Sequence, residues 1–93
     1  MEIWKDKKVT VLGLGKSGLA SALYLKNRGA DVLVSEFSSE DKVPEATKEA
    51  LSSAGIPTEF GGHSDEAINR SELFIISPGI PPTSAVVKRA RGT

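Results

Sequence analysis

Three glycines, one glutamate and a proline–glycine turn hold most of the chemistry open to this chain. Gly13, Gly15 and Gly18 sit in Val9-Thr-Val-Leu-Gly-Leu-Gly-Lys-Ser-Gly-Leu-Ala20 with the spacing G-x-G-x-x-G. Between a strand and a helix that spacing is a phosphate-cradling fingerprint. Gly13 permits a tight turn out of the strand, Gly15 lets a phosphate approach the backbone, and Gly18 lets the helix pack on the strand. The N–H groups of the first helical turn then face an anion, aided by the helix dipole. The plainer use of the same glycines is turning and packing alone.

Glu36 lies 18 residues beyond Gly18, at the end of the second predicted strand. There an acidic residue meets a ribose 2′-hydroxyl in NAD enzymes. An exposed glutamate at a strand end is the alternative. A 2′-phosphate fits poorly, because Glu36 would repel it and no arginine follows in the loop. Ser77-Pro-Gly-Ile-Pro-Pro82 follows a further predicted strand at its carboxyl end, the edge where open α/β sheets bind ligands. Its prolines stiffen the turn and Gly79 leaves an uncrowded N–H. Two such turns side by side would clamp one pyrophosphate; alone, this is a Pro-Gly turn before a helix.

The elements that must position these residues follow from apolar patterning. A valine-rich run through Leu12, too short for a helix, predicts strand 1. Leu19, Ala22, Leu23 and Leu25 give the next helix an apolar side, with Ser17 as its expected cap and Arg28-Gly29 as its stop. Val32-Leu-Val34 predicts strand 2, ending at Ser35-Glu36. Val43, Ala46, Ala50, Leu51 and Ala54 predict one face of helix 2, with Pro44 in its first turn and Gly55 beyond it. Ile56–Phe60 predicts a weak strand 3, since Pro57 suits only a strand start or edge. Gly61-Gly62-His63 is a turn, and Ser64 opens a brief helix. Leu73–Ile76 predicts strand 4, and Thr83 or Ser84 caps a last helix through Ala90, with Lys88, Arg89 and Arg91 near its negative end.

That alternation specifies an α/β fold: a Rossmann-like, doubly wound parallel sheet of three layers, α/β/α. A fifth strand is expected beyond Gly92-Thr93, as part of a longer protein. No linker or repeat divides residues 1–93, which are taken as one domain.

Composition narrows the function. Twelve basic and twelve acidic residues cancel, so no basic surplus points to nucleic acid or an anionic membrane. There are 0 cysteines, which excludes disulfides and thiolate metal sites and fits a reducing cytosol. No apolar run nears the roughly 20 residues needed to span a bilayer, and the start, Met1–Lys8, lacks a signal peptide's apolar core. A cytoplasmic location is expected. His63 is the single histidine; no motif supplies the partners a metal or catalytic role requires, so it reads as a turn residue. Gly15-Lys16-Ser17 does not complete a G-x-x-x-x-G-K-[ST] loop, because Thr10 stands where its first glycine belongs.

Taken together, Val11-Leu-Gly-Leu-Gly-Lys-Ser-Gly-Leu-Ala20, Val34-Ser-Glu36, Gly61-Gly-His63 and Ile76-Ser-Pro-Gly-Ile-Pro81 resemble the N-terminal domain of the Mur ligases, and among these the D-glutamate-adding branch. The resemblance covers almost the whole chain. It implies a domain that binds UDP rather than NAD. Lys16 and Ser17 would offer backbone N–H groups to the UDP phosphates, and Gly79 would do so from the second turn. Glu36 takes the family's acidic position, against uracil. Phe37 and Ser38 stand where some members have Thr-Arg, and Phe37 could stack on the base. Gly13, Gly15 and Gly18, with Ser77, Pro78 and Ile80, complete the implied UDP site, which holds no catalytic residue and no metal. The resemblance further implies an intact enzyme that uses ATP and Mg²⁺, bound in a central domain outside this chain, to phosphorylate the L-alanine carboxylate of UDP-N-acetylmuramoyl-L-alanine. D-glutamate then attacks the acyl phosphate, in peptidoglycan synthesis. Two other classes remain open: the NAD-binding domain of an oxidoreductase, for which Glu36 argues, and a regulatory nucleotide-sensing domain of a channel or transporter.

Overall fold

A computed structural model describes residues 3–81 and 83–92. Pro82, the last residue of the predicted second turn, lies outside the described residues. The elements run β1 (Lys8–Leu12), α1 (Lys16–Asn27), β2 (Asp31–Glu36), a single 3-10 turn (Glu40–Lys42), α2 (Glu45–Ser53), β3 (Thr58–Phe60), α3 (Asp65–Asn69), β4 (Leu73–Ile76) and α4 (Ala85–Ala90). The strands form one sheet in the order β3-β2-β1-β4. Every pairing is parallel, with Val9 opposite Val32 and Leu73, and Glu36 opposite Phe60. The chain therefore winds outward from β1 in one direction to β3, then crosses back to lay β4 on β1's other side. Between β1 and β4 the winding reverses, and open sheets of this type bind ligands there.

The alternation of β1 and β2 divides the core into two layers. Val9, Val11, Val32 and Val34 face α1 and α2, where they pack with Ala22, Leu25, Leu51 and Ile56. Leu12 faces the other way, against Val86 and Val87 of α4, with Ile68 and Phe74 beside them. Thr10 is fully buried on that second face, and its hydroxyl meets Ser71 Oγ and the Ala67 carbonyl. A buried hydroxyl so bonded avoids the cost of an unmet polar group. At the opposite end of the sheet from the glycine turn, Arg70 donates to the Val9 and Asp31 carbonyls and pairs with Asp31.

Three local expectations need correction. Ser17 does not cap α1: the helix starts at Lys16, with Gly15 at the cap position and no side chain bonding its first N–H groups. Ala46 is exposed, and Val43, buried, precedes α2 rather than lying within it. Strand β3 shortens to Thr58–Phe60, because Pro57 has no N–H to give a sheet. Elsewhere the caps fall as expected: Ser64 accepts from Ala67 N–H and Ser84 from Val87 N–H.

Candidate functional site

The carboxyl ends of all four strands open onto one cleft of about 670 Å³. Its lining joins segments far apart in sequence: Gly13 to Gly15, Glu36 and Phe37, Gly62 and His63, Ser77 with Gly79 to Pro81, and the start of α4.

Two hairpins meet at its floor. Gly13 N–H bonds the Ser35 carbonyl at 2.9 Å and Ser77 N–H bonds the Leu12 carbonyl at 2.9 Å, so each strand pairing runs on into its turn. Gly13 has φ +94, and a Cβ there would stand 2.8 Å from Ser77 Cβ and 3.1 Å from Ile80 Cδ1. Only a residue without a side chain lets the second hairpin come this close. A Cβ on Gly18 would fall 2.1 Å from the Gly13 carbonyl oxygen, which fixes the helix directly on the turn. With Gly15 at the cap and no side-chain acceptor, the N–H groups of Lys16 and Ser17 are the first-turn donors that a helix cannot satisfy internally.

In the second hairpin, Ile80 N–H closes the turn on the Ser77 carbonyl at 3.0 Å. Gly79 N–H is not open as expected. It donates to Ser77 Oγ at 3.4 Å, the long limit of such a bond, and a stronger acceptor in the cleft would displace the hydroxyl.

Glu36 is committed locally. Its Oε1 accepts Leu14 N–H at 2.6 Å and its Oε2 accepts Ser38 N–H at 2.8 Å. The carboxylate thus ties the glycine turn to the end of β2, and one face still borders the cleft. Phe37 is 75% exposed and its ring centroid lies 6.3 Å from that of His63.

Of the residues expected from the sequence, Gly13, Gly15, Glu36, Phe37, Ser77, Gly79 and Ile80 line the cleft, whereas Lys16, Ser17, Gly18, Ser38 and Pro78 do not. Lys16 and Ser17 stand in the first turn behind the cap, and Gly18 is buried beneath it. Leu14, His63, Ser84, Val86 and Arg89 line the cleft without having been expected there. His63 Nδ1 lies 2.6 Å from Ser35 Oγ, which also donates to Glu59 Oε2. Arg89 donates to the His63 carbonyl and pairs with Asp65. Burial holds the His63 imidazole below its ordinary value, against the upward pull of Glu59 and Glu36 and with the help of Arg89. Burial alone would raise the Glu59 carboxyl, but bonds from Ser35 and Ser64, with His63 nearby, outweigh it and hold that group low.

The family described as Mur ligase MurD-like, N-terminal domain, matches residues 7–93. The chain belongs to that family. It is 48% identical over 77 residues to the UDP-N-acetylmuramoylalanine--D-glutamate ligase of Acidobacterium capsulatum, covering 83% of this chain and 16% of the relative. To the ligase of the same name from Chlorobaculum parvum it is 44% identical over 93 residues, covering 98% of this chain and 19% of the relative. The chain thus spans less than a fifth of the length of these curated relatives. Among solved structures, a pseudomurein peptide ligase type C from Methanothermus fervidus superposes with a TM-score of 0.79 at 29% identity, over 92% of this chain and 17% of that one. A transhydrogenase from Sinorhizobium meliloti superposes less well, at TM-score 0.58 and 25% identity, over 83% of this chain and 21% of that one.

Proposed function

We propose that this MurD-like domain holds the UDP end of UDP-N-acetylmuramoyl-L-alanine for a ligase that adds D-glutamate to it. The observation that carries this reading is the abutment of the two hairpins, Gly13 against Ser77 and Ile80, at the point where the sheet's winding reverses. A diphosphate laid across them takes the N–H groups of Lys16 and Ser17 on one side and Gly79 on the other. Gly13 and Gly15 supply bare backbone, Gly18 seats the helix, and Ser77, Pro78 and Ile80 shape the second wall. The nucleoside then points toward Glu36, Phe37 and Ser38.

The domain's part in catalysis is orientation: by fixing one end of a long substrate it delivers the far carboxylate to chemistry elsewhere. In the longer protein, ATP with Mg²⁺ would supply the phosphoryl group that activates the L-alanine carboxylate, releasing ADP. Attack of the D-glutamate amine on the acyl carbon would then form the amide and release phosphate. Those steps belong to central and C-terminal domains beyond residue 93, and none is assigned to a residue of this chain. A fifth strand would pair with the open edge of β4. The setting is the cytoplasm and the product a peptidoglycan precursor; among the described residues no helix is long and apolar enough to cross a membrane.

A competition titration tests the reading. UDP should bind the chain and NADH should neither bind nor displace it. NADH binding that UDP cannot reverse would overturn the proposal in favour of an oxidoreductase domain.

A further inference from the structure

His63 was left without a role by its sequence, and the fold gives it a defined one. The Gly61–His63 turn is stapled to the end of β2: Gly61 N–H bonds the Ser38 carbonyl at 2.9 Å and Gly62 N–H the Glu36 carbonyl at 3.4 Å. Ser35, fully buried, gives its one hydroxyl proton to Glu59 Oε2, a carboxylate that also accepts Ser64 N–H at 3.0 Å. Ser35 Oγ can therefore only accept from the imidazole, which places the ring proton on His63 Nδ1. A neutral ring protonated at Nδ1 carries a lone pair at Nε2, the opposite corner. This ring lines the cleft, and burial favours its neutral form.

Topology places this acceptor at the nucleoside end. The hairpins that would take the diphosphate follow β1 and β4, whereas His63 follows β3, two strands from β1 and three from β4 across the sheet. Glu36, between them, has one lone pair on each oxygen committed to a backbone N–H. Phe37, exposed and tilted 34° to the imidazole, flanks the same space.

We propose that His63 reads the base: its Nε2 accepts the imide N3–H of a uracil ring while Phe37 covers the ring's face. Cytosine carries a lone pair at N3, so the two acceptors would oppose each other and a cytidine nucleotide would be rejected. A site built to bond an N–H discriminates strongly against an analogue lacking it, because its own polar group is left unmet.

This inference rests on the UDP reading, and a set of calorimetric titrations on the chain separates the two. The probes are UDP, CDP and inorganic pyrophosphate, against the unaltered chain, His63→Asn and His63→Gln. The asparagine amide can keep the bond to Ser35 but offers nothing at the Nε2 position, whereas the glutamine carbonyl reaches that position. The unaltered chain should prefer UDP to CDP by at least about tenfold, the ratio that about 1.4 kcal/mol produces. His63→Asn should lose that preference with pyrophosphate affinity unchanged, and His63→Gln should recover most of it. An undiminished UDP-to-CDP ratio in His63→Asn would overturn the role of His63 and leave the UDP site standing. Failure of the unaltered chain to bind UDP would remove both.

Discussion

A Cβ at Gly18 would stand 2.1 Å from a backbone oxygen, whereas one at Gly79 would meet only Ser77 Oγ at 3.9 Å. The two glycines therefore answer differently to substitution. Gly18→Ala forces the Gly13 turn and α1 apart, and backbone displaced in a packed site costs about 1–3 kcal/mol, occasionally more. Its urea midpoint should drop sharply. Gly79→Val places an isopropyl group at the cleft wall while the turn's closing bond from Ile80 remains. Its circular dichroism and melting temperature should match the unaltered chain, and its UDP affinity should fall by about tenfold or more. Unchanged affinity in a folded Gly79→Val chain would remove the second hairpin from the site.

At the scale of elements, the end of β3 brings together two groups, Glu59 and His63, whose titration couples to stability. His63 is held below its ordinary value of 6.5 and Glu59 below 4.5. The native state then binds fewer protons than the unfolded chain, so stability rises with pH across both ranges. The His63 contribution is complete above about pH 6.5 and is lost as pH falls below it; the Glu59 contribution is lost in turn, below about pH 4.5. Urea midpoints should fall from pH 7.5 to 5.5 and again toward pH 4. His63→Asn should flatten the first fall and leave the second, and parallel curves would contradict this assignment. The same strand shows why sequence reading stopped where it did. The glycine loop, β4 and the Ser77 turn rest on signals contained within a few residues. His63 depends on Ser35, which is 28 positions away, and on Glu59, which reaches Ser35 only when β3 pairs with β2. The misplaced cap has a similar origin. Ser17 has the right chemistry, but α1 begins one residue earlier, and its first N–H groups are left for another acceptor.

Across the whole molecule, a single parallel sheet in the order β3-β2-β1-β4 sends every strand's carboxyl end to the same edge. Glycine loop, acidic strand end, histidine turn and proline turn have no proximity in sequence, yet this winding gathers them around one cleft. The alternation of strands and helices made that edge legible in advance, although the closeness of the two hairpins required the Gly13–Ser77 contact to be seen. Amide chemical shifts of the isotope-labelled chain, followed during a UDP titration, test the central claim most directly. UDP should displace the amide signals of Gly15, Lys16, Ser17 and Gly79 together, saturating at one common affinity. A response confined to one hairpin, or centred on another face of the sheet, would contradict a diphosphate held between the two.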